Sequence, residues 1–424
     1  MLIEFQVENF RSFKGRQVFS MVAGHFPEHL ENNTFEPPLK GFGRLVRTAA
    51  IYGPNAGGKT NLLLAMKFMK DFIVKQPNVT AAPYQFSPFK LSRTCSNKPS
   101  EFLIAFVQDR KRYEYGFSLG AERIEREWLV EYVHSGSRTR GRTMFERDWS
   151  AKEKKYEWKF SPFLKGQRSV WGEATRPDAL FLSTAIQLNS TQLRPVFDWF
   201  QTRLVVIVGE IKLNESLTLN LLDEPEGKKN LLPFLREADL GISDFEVKKE
   251  PIPPSGGVVV GKSAPMFIHS TKTNLPNLVT VTLSHLADGK VPIGFDFSEE
   301  SSGTQILFKT AGAWLNVLKN GEVLIFDEID TNMHPALLRF LISRFQSTST
   351  NPNNAQLICS THNTSILDRA LFRRDQVWFV EKDRVGASKV YPLTDFSPRN
   401  DESFERAYMR GRYGAQPILP IKVG

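Results

Sequence analysis

The run Ala49-Ala50-Ile51-Tyr52-Gly53-Pro54-Asn55-Ala56-Gly57-Gly58-Lys59-Thr60 spells a phosphate-binding loop, in the G-x-x-x-x-G-K-[ST] spacing, between an apolar strand and a helix. Such a loop works only where a buried strand delivers it and a helix N-terminus follows, so an α/β core is required. The glycines admit backbone angles closed to other residues and let successive amides turn inward around an anion. Asn55, Gly57, Gly58, Lys59 and Thr60 are therefore the nucleotide-binding candidates, with Lys59 reaching the β and γ phosphates and the Thr60 hydroxyl a ligand for Mg²⁺. The outgoing helix, Asn61 to Ile73, carries apolar residues at Leu62, Leu63, Ala65, Met66, Met69, Phe72 and Ile73.

A second strand supplies acidic chemistry. Val323-Leu324-Ile325-Phe326 is an apolar, parallel-type run ending in Asp327-Glu328, where Asp327 is the metal candidate and Glu328 the general base. Upstream, Ser301-Ser302-Gly303-Thr304-Gln305 opens a helical stretch from Ile306 to Leu318; Ser302 and Gly303 offer a hydroxyl and free amides to a phosphate. Downstream come Asp330 and a strand, Leu357-Ile358-Cys359-Ser360, that ends in Thr361-His362-Asn363, from which His362 can contact a γ-phosphate.

Two further regions have strand patterns. Leu2 to Phe10 alternates, and Phe102–Val107 with Tyr113–Leu119 forms a meander about the turn Gln108-Asp109-Arg110-Lys111-Arg112. The apolar run Ala179 to Gln187 reads as a strand, Leu204 to Val208 as a buried strand, Leu193 to Leu204 as amphipathic, and Pro251 to Gly261 as a loop.

At 424 residues the chain has room for two or three domains, or one large domain with an insertion. The two cysteines, Cys95 and Cys359, are too far apart for metal-ligand spacing, which argues against zinc and a disulfide framework. No apolar run suits a signal peptide or a membrane span, so a cytoplasmic location is expected. The charge of +9 reflects 55 basic and 46 acidic residues, with local concentrations at Arg138-Thr139-Arg140-Gly141-Arg142, at Arg110-Lys111-Arg112, at Arg369 with Arg373 and Arg374, and at Arg406 with Arg410 and Arg412. Solvated faces explain such clusters most simply, but they leave room for a phosphate backbone or an acidic protein.

The order of phosphate loop, Ser-Gly helix, Asp-Glu strand, Asp330 and His362 resembles the ABC-type ATPases. Ile3 to Phe13 is similar to the opening strand, I-x-F-x-V-x-N-F-R-S-F, of their RecF, SMC and OLD branch. The resemblance implies an α/β fold: an ABC-type ATPase head, with a RecA-like core plus an antiparallel β subdomain, carrying a mixed, partly helical insertion. The expected division is 1–134 for the N-terminal part of the head, 135–261 for the insertion and 262–424 for the C-terminal part. It also implies ATP and Mg²⁺, a homo-oligomer in which two heads sandwich ATP, Ser302-Gly303 as the signature, with Thr304 departing from the transporter consensus, Asp330 as the D-loop residue and His362 as the switch histidine. The resemblance further implies a Q-loop glutamine that senses Mg²⁺ and γ-phosphate, for which Gln187, at the end of its apolar run, is the candidate, in competition with Gln85 and Gln108.

A narrower resemblance is to the ATPases of bacterial phage-defence operons, among them the AriA group of PARIS systems and the RloA and AbiL groups. It rests on Asp327-Glu328-Ile329-Asp330 with His334-Pro335, on Phe181-Leu182-Ser183 with Gln187-Leu188-Asn189, and on the tail Tyr408 to Pro417. It implies an ATPase that acts as sensor and scaffold for a separate TOPRIM-type nuclease subunit, triggered by an acidic phage protein or nucleic acid. The competing expectation is a RecF/SMC-like DNA repair or chromosome-maintenance ATPase; the absence of a heptad run long enough for a coiled-coil arm weighs against its SMC form.

Overall fold

The computed structural model describes residues 1–75, 86–135, 138–208, 215–238, 241–251, 266–269, 276–399 and 401–416. Two compact units divide the chain: Met1–Gly209 with Asn320–Asp330 and Leu341–Gly424, and Glu210–Lys319 with Thr331–Phe340.

The first unit is built on a six-stranded sheet in the order Leu204–Ile207, Val323–Phe326, Gln356–Ser360, Thr48–Tyr52, Val377–Lys382, Ser388–Pro392. Neighbours pair in parallel except at the last pair. Thr48–Tyr52 and Gln356–Ser360 are buried at every position, as expected of strands covered on both faces. The helix Lys59–Val74 buries the seven apolar positions read from the sequence.

Besides a small two-stranded sheet, in which Thr34–Phe35 pairs with Leu45–Val46, the unit has a seven-stranded antiparallel meander in the order Lys155–Phe160, Arg138–Ser150, Ile124–Ser135, Lys111–Leu119, Ser100–Gln108, Leu2–Glu8, Gln17–Ser20. Gln356 ties it to the core: its side chain accepts from Leu2 N at 2.6 Å and donates to Leu2 O at 3.0 Å and Val46 O at 3.2 Å. The expected RecA-like core and antiparallel subdomain are thus both present.

The expected insertion boundary at residue 135 is corrected. Ile124–Ser135 and Arg138–Ser150 pair as one hairpin, and Lys155–Phe160 extends the same sheet, so the meander runs well past residue 135. Alternation in Arg142 to Phe160 is interrupted by charged residues that pair across strands, which hid these strands from the sequence pattern. The second unit instead begins at Glu210. It contains an antiparallel sheet in which Pro276–Ala287 pairs with Ile242–Pro251, Met266–His269 and Val291–Asp296. Its helix Glu215–Leu222 crosses Ser302–Asn320 at Gly312, where a Cβ would lie 2.5 Å from the Leu217 backbone. The loop expected over Pro251 to Gly261 lies, beyond Pro251, outside the described residues, as does Gln85.

The run Ala179 to Gln187 also departs from expectation, folding as the helix Phe181–Gln187. The carboxylate of buried Glu127, on a meander strand, accepts from Phe181 N at 2.7 Å and Leu182 N at 3.0 Å. Arg147 Nη1 balances it at 3.7 Å, and Thr184 Oγ1 donates back to Leu180 O. A cap delivered from a distant strand satisfies the first amides of the helix, and no local signal announces it.

Candidate nucleotide site

Three neighbouring parallel strands end at one place. The phosphate loop follows Tyr52, Asp327 and Glu328 follow Phe326, and His362 lies two residues past Ser360, all at carboxyl ends, where open α/β sheets bind ligands. A cavity of about 390 Å³ is lined by residues 54–61 of the loop and helix start together with Glu328 and His362.

The loop's shape is set by close packing. Gly53 has φ +152°, and a Cβ there would lie 2.1 Å from the Val380 carbonyl oxygen. Gly58 has φ +122°, and its Cβ would lie 2.4 Å from Ser388 Oγ. Because the helix begins at Lys59, the amides of Lys59, Thr60 and Asn61 have no acceptor within the helix and point their dipoles at the cavity. Lys59 Nζ donates to Gly53 O at 2.9 Å and Pro54 O at 3.2 Å, so it stands across the mouth of the loop.

The acidic side is ordered by one hydroxyl. Ser360 Oγ donates to Asp327 Oδ1 and accepts from Glu328 N at 2.7 Å. Glu328 is held at φ +50°, a left-handed conformation uncommon for a glutamate, which turns its side chain into the cavity. Asp330 Oδ2 accepts from His362 N at 3.1 Å, while its Oδ1 is buried with no hydrogen-bond partner among the described residues. Burial, and then the charge of Lys59, hold the His362 imidazole below its ordinary pKa, so it is neutral at pH 7.

A glycine cradle, a lysine and orphan amides fit a triphosphate. For Mg²⁺ the donors present are the Thr60 hydroxyl and the Asp327 carboxylate, and among the described residues no group of three or more His, Cys, Asp or Glu could hold a metal ion. That donor set fits a cation that takes its other ligands from phosphate oxygens and water.

Burial pushes the Lys59 ammonium down to about 8, against the pull of Asp327, Glu328 and Asp330. A bound triphosphate favours the charged form, so above pH 8 binding must take up a proton. ATP affinity is expected to hold up to about pH 8 and then fall by about tenfold per pH unit towards the ordinary lysine value. In the free protein the same shift has the opposite sign, with stability rising across that window because the unfolded chain keeps the proton longer. Calorimetric titration at pH 8.5 in buffers of different ionisation enthalpy measures the uptake; none would contradict the geometry.

Gln187 does not join the site. It is the exposed last residue of a helix and is not among the residues lining the phosphate-loop cavity, so its expected contact with Mg²⁺ and γ-phosphate is corrected. Ser302 and Gly303 belong to the second unit. There the helix starts at Ser302, and Ser301 Oγ caps it by accepting from Thr304 N at 3.1 Å, leaving Ser302 exposed.

Sequence reasoning missed the loop's supports. Ser388 Oγ donates to Gly57 O at 2.6 Å and lies 2.8 Å from Ser12 Oγ, which accepts from Asn61 Nδ2 at 2.9 Å. Beside them a cavity of about 370 Å³ is lined by Arg11, Ser12, Asn61, Phe89 and Lys90, among others. The basic turn Arg11 to Gly15 was the available signal, and Arg11 at φ +50° is the strained residue within it.

A family model described as "AAA domain, putative AbiEii toxin, Type IV TA system" matches residues 49–185 and 210–368. No protein of curated function matches the chain. Solved structures that resemble it include the SMC head domain from Thermotoga maritima, 13% identical over 92% of this chain and 98% of that one, with a TM-score of 0.40.

Proposed function

The chain belongs to this AAA-domain family of ATPases, and from that premise we propose that it is an ATP-driven switch in a bacterial anti-phage defence system, controlling a separately encoded nuclease. The observation that carries the reading is the convergence of the phosphate loop, Glu328 and His362 on one cavity. ATP lies with its phosphates along the Gly57 to Thr60 amides and Lys59 on the β and γ groups. Its base then runs past Asn61 towards Arg11 and Phe89, whose guanidinium and ring suit it. Thr60 and Asp327 would hold Mg²⁺, which would supply charge neutralisation on the phosphate oxygens. Glu328 takes the proton of the attacking water, and neutral His362 donates to the γ-phosphate oxygen where charge develops.

Two heads close on two nucleotides, each completed by Ser302 and Gly303 of the other copy with Asp330 beside them. Hydrolysis reopens the pair and changes its grip on the effector. Affinity within the AriA, RloA and AbiL groups, the TOPRIM-type partner and an acidic trigger belong to this reading. The test is purification together with the product of the neighbouring gene, with stoichiometry and bound nucleotide measured. A complex whose nuclease activity changes with ATP is the expected result, and a chain that neither binds the neighbour nor alters its activity would sink it.

The second reading is a RecF-like ATPase that binds DNA directly. Its support is the meander's register, which brings Arg110 and Arg140 to the same end of one sheet. Against it, Glu131 pairs with both Lys111 and Arg142 there and reduces the local charge. ATP-dependent binding of duplex DNA by the chain alone, falling steeply with salt, would favour it over the defence switch.

A further inference from the structure

The tail Tyr408-Met409-Arg410-Gly411-Arg412-Tyr413-Gly414-Ala415-Gln416 carries no phosphate chemistry, yet it is fastened to the strand behind the phosphate loop. The Tyr408 ring stacks on Phe379 with centroids 5.4 Å apart and planes 18° from parallel. Ala415 N donates to Glu381 Oε2 at 2.6 Å. Tyr408 Oη donates to Ala415 O at 2.9 Å, and Tyr391 Oη to Tyr413 O at 3.0 Å, which closes the segment on itself and on the neighbouring strand. Gly414 has φ +65°, and a Cβ there would lie 2.8 Å from Tyr391 Oη and 2.9 Å from Glu381 Oε2. Only glycine lets the turn press this closely on the carboxylate.

Between Phe379 and Glu381 stands Val380, whose carbonyl oxygen is the backing of the phosphate loop. A Cβ on Gly53 would meet it at 2.1 Å and one on Gly57 at 2.9 Å. Three consecutive residues of one strand therefore join the tail to the loop, the outer two gripping the tail and the middle one setting how far the loop can recede. Tyr408 also reaches Tyr52, the residue before Gly53, with centroids 6.0 Å apart. A cavity of about 910 Å³ has loop residues 53–57 and His362 in one wall, and Tyr408, Met409 and residues 414–416 in another.

We infer that the tail is a positioning element for nucleotide binding, fixing the strand Val377–Lys382 and, through the Val380 carbonyl, the curvature of the phosphate loop. The inference rests on the loop's binding ATP. Tyr408, Gly414 and Glu381 are positioning residues, because they act through Val380 and are not among the residues lining the cavity shared by the phosphate loop, Glu328 and His362.

The test is the Kd of a fluorescent ATP analogue, measured with the Tm of the nucleotide-free protein on the full chain. Gly414→Ala is expected to weaken binding about tenfold and Glu381→Gln about threefold, the range over which coupled contacts act at a distance. Arg410→Ala, an exposed tail residue outside these ties, should bind as wild type does. A role in stability alone would lower Tm and leave Kd unchanged, so Gly414→Ala and Glu381→Gln with wild-type Kd would overturn the inference. If Gly414→Ala does not fold, Tyr408→Phe takes its place: it keeps the stacked ring and drops the bond to Ala415, and an unaltered Kd in it and in Glu381→Gln has the same meaning. Wild-type protein that bound no analogue would overturn the nucleotide reading, and this inference with it; wild-type binding with unaltered variants overturns this inference alone.

Discussion

Replacing Glu328 by glutamine should cut ATP turnover by about a hundredfold or more while leaving ATP affinity within about twofold, because a positioned general base contributes that much to proton transfer. Glutamine matches glutamate in size and cannot accept the proton. Its backbone would stay in place, since Ser360 Oγ accepts from the amide of residue 328 whichever side chain is present. The same serine donates to Asp327 Oδ1, so the metal candidate is undisturbed. Phosphate release under saturating ATP reads the first effect, and equilibrium binding the second. A variant that turned over at the wild-type rate would remove Glu328 from the chemistry. With ATP present and hydrolysis blocked, the variant should also elute as a pair of heads on size-exclusion chromatography, where a monomer would argue against the sandwich.

Lys59→Ala acts one step earlier. Charge-assisted bonds from an ammonium to phosphate oxygens contribute about 1.5–3 kcal/mol each, so losing two of them should weaken ATP by at least about a hundredfold. In the free protein Lys59 Nζ also bonds Gly53 O and Pro54 O, so alanine could loosen the loop as well. Thermal shift separates the two effects. ATP at a hundred times the wild-type Kd should stabilise wild type by about 2.7 kcal/mol and the variant hardly at all, whereas loosening alone lowers both baselines and keeps the shift. Normal affinity in Lys59→Ala would be as damaging to the site as full turnover in Glu328→Gln.

The chemistry that could be read from the sequence is the chemistry carried by short contiguous runs. Gly53 to Thr60 and Val323 to Glu328 each combine an apolar strand with its polar end, and the structure sets both at carboxyl ends of the same parallel sheet. Residues that work through distant partners stayed hidden. Ser388 supports the loop from a strand far along the chain, and its sequence neighbours say nothing of Gly57. Gln187 was misplaced for a related reason: nothing in Ala179 to Gln187 reveals that Glu127 will cap it into a helix. The boundary expected at residue 135 failed because charges on Arg142, Glu146 and Lys159 masked strands whose polar faces pair across the sheet.

The core sheet interleaves the beginning and end of the chain. The strand that delivers the phosphate loop, Thr48–Tyr52, lies between Gln356–Ser360 and Val377–Lys382, and Gln356 also fastens Leu2. During synthesis the loop emerges early and must wait for both neighbours. At about 10 residues per second that delay is about half a minute, through which the apolar strand has no partner to pair with, while its helix already has the antiparallel sheet to pack on through Phe68 against Phe102 and Phe72 against Phe117. The nucleotide site thus cannot form until the strand Val377–Lys382 is made, and a ribosome stalled before residue 377 would release a chain without a formed site. Chaperone binding to the nascent chain, lost once the strand Val377–Lys382 is made, is the expected biosynthetic consequence of this strand order.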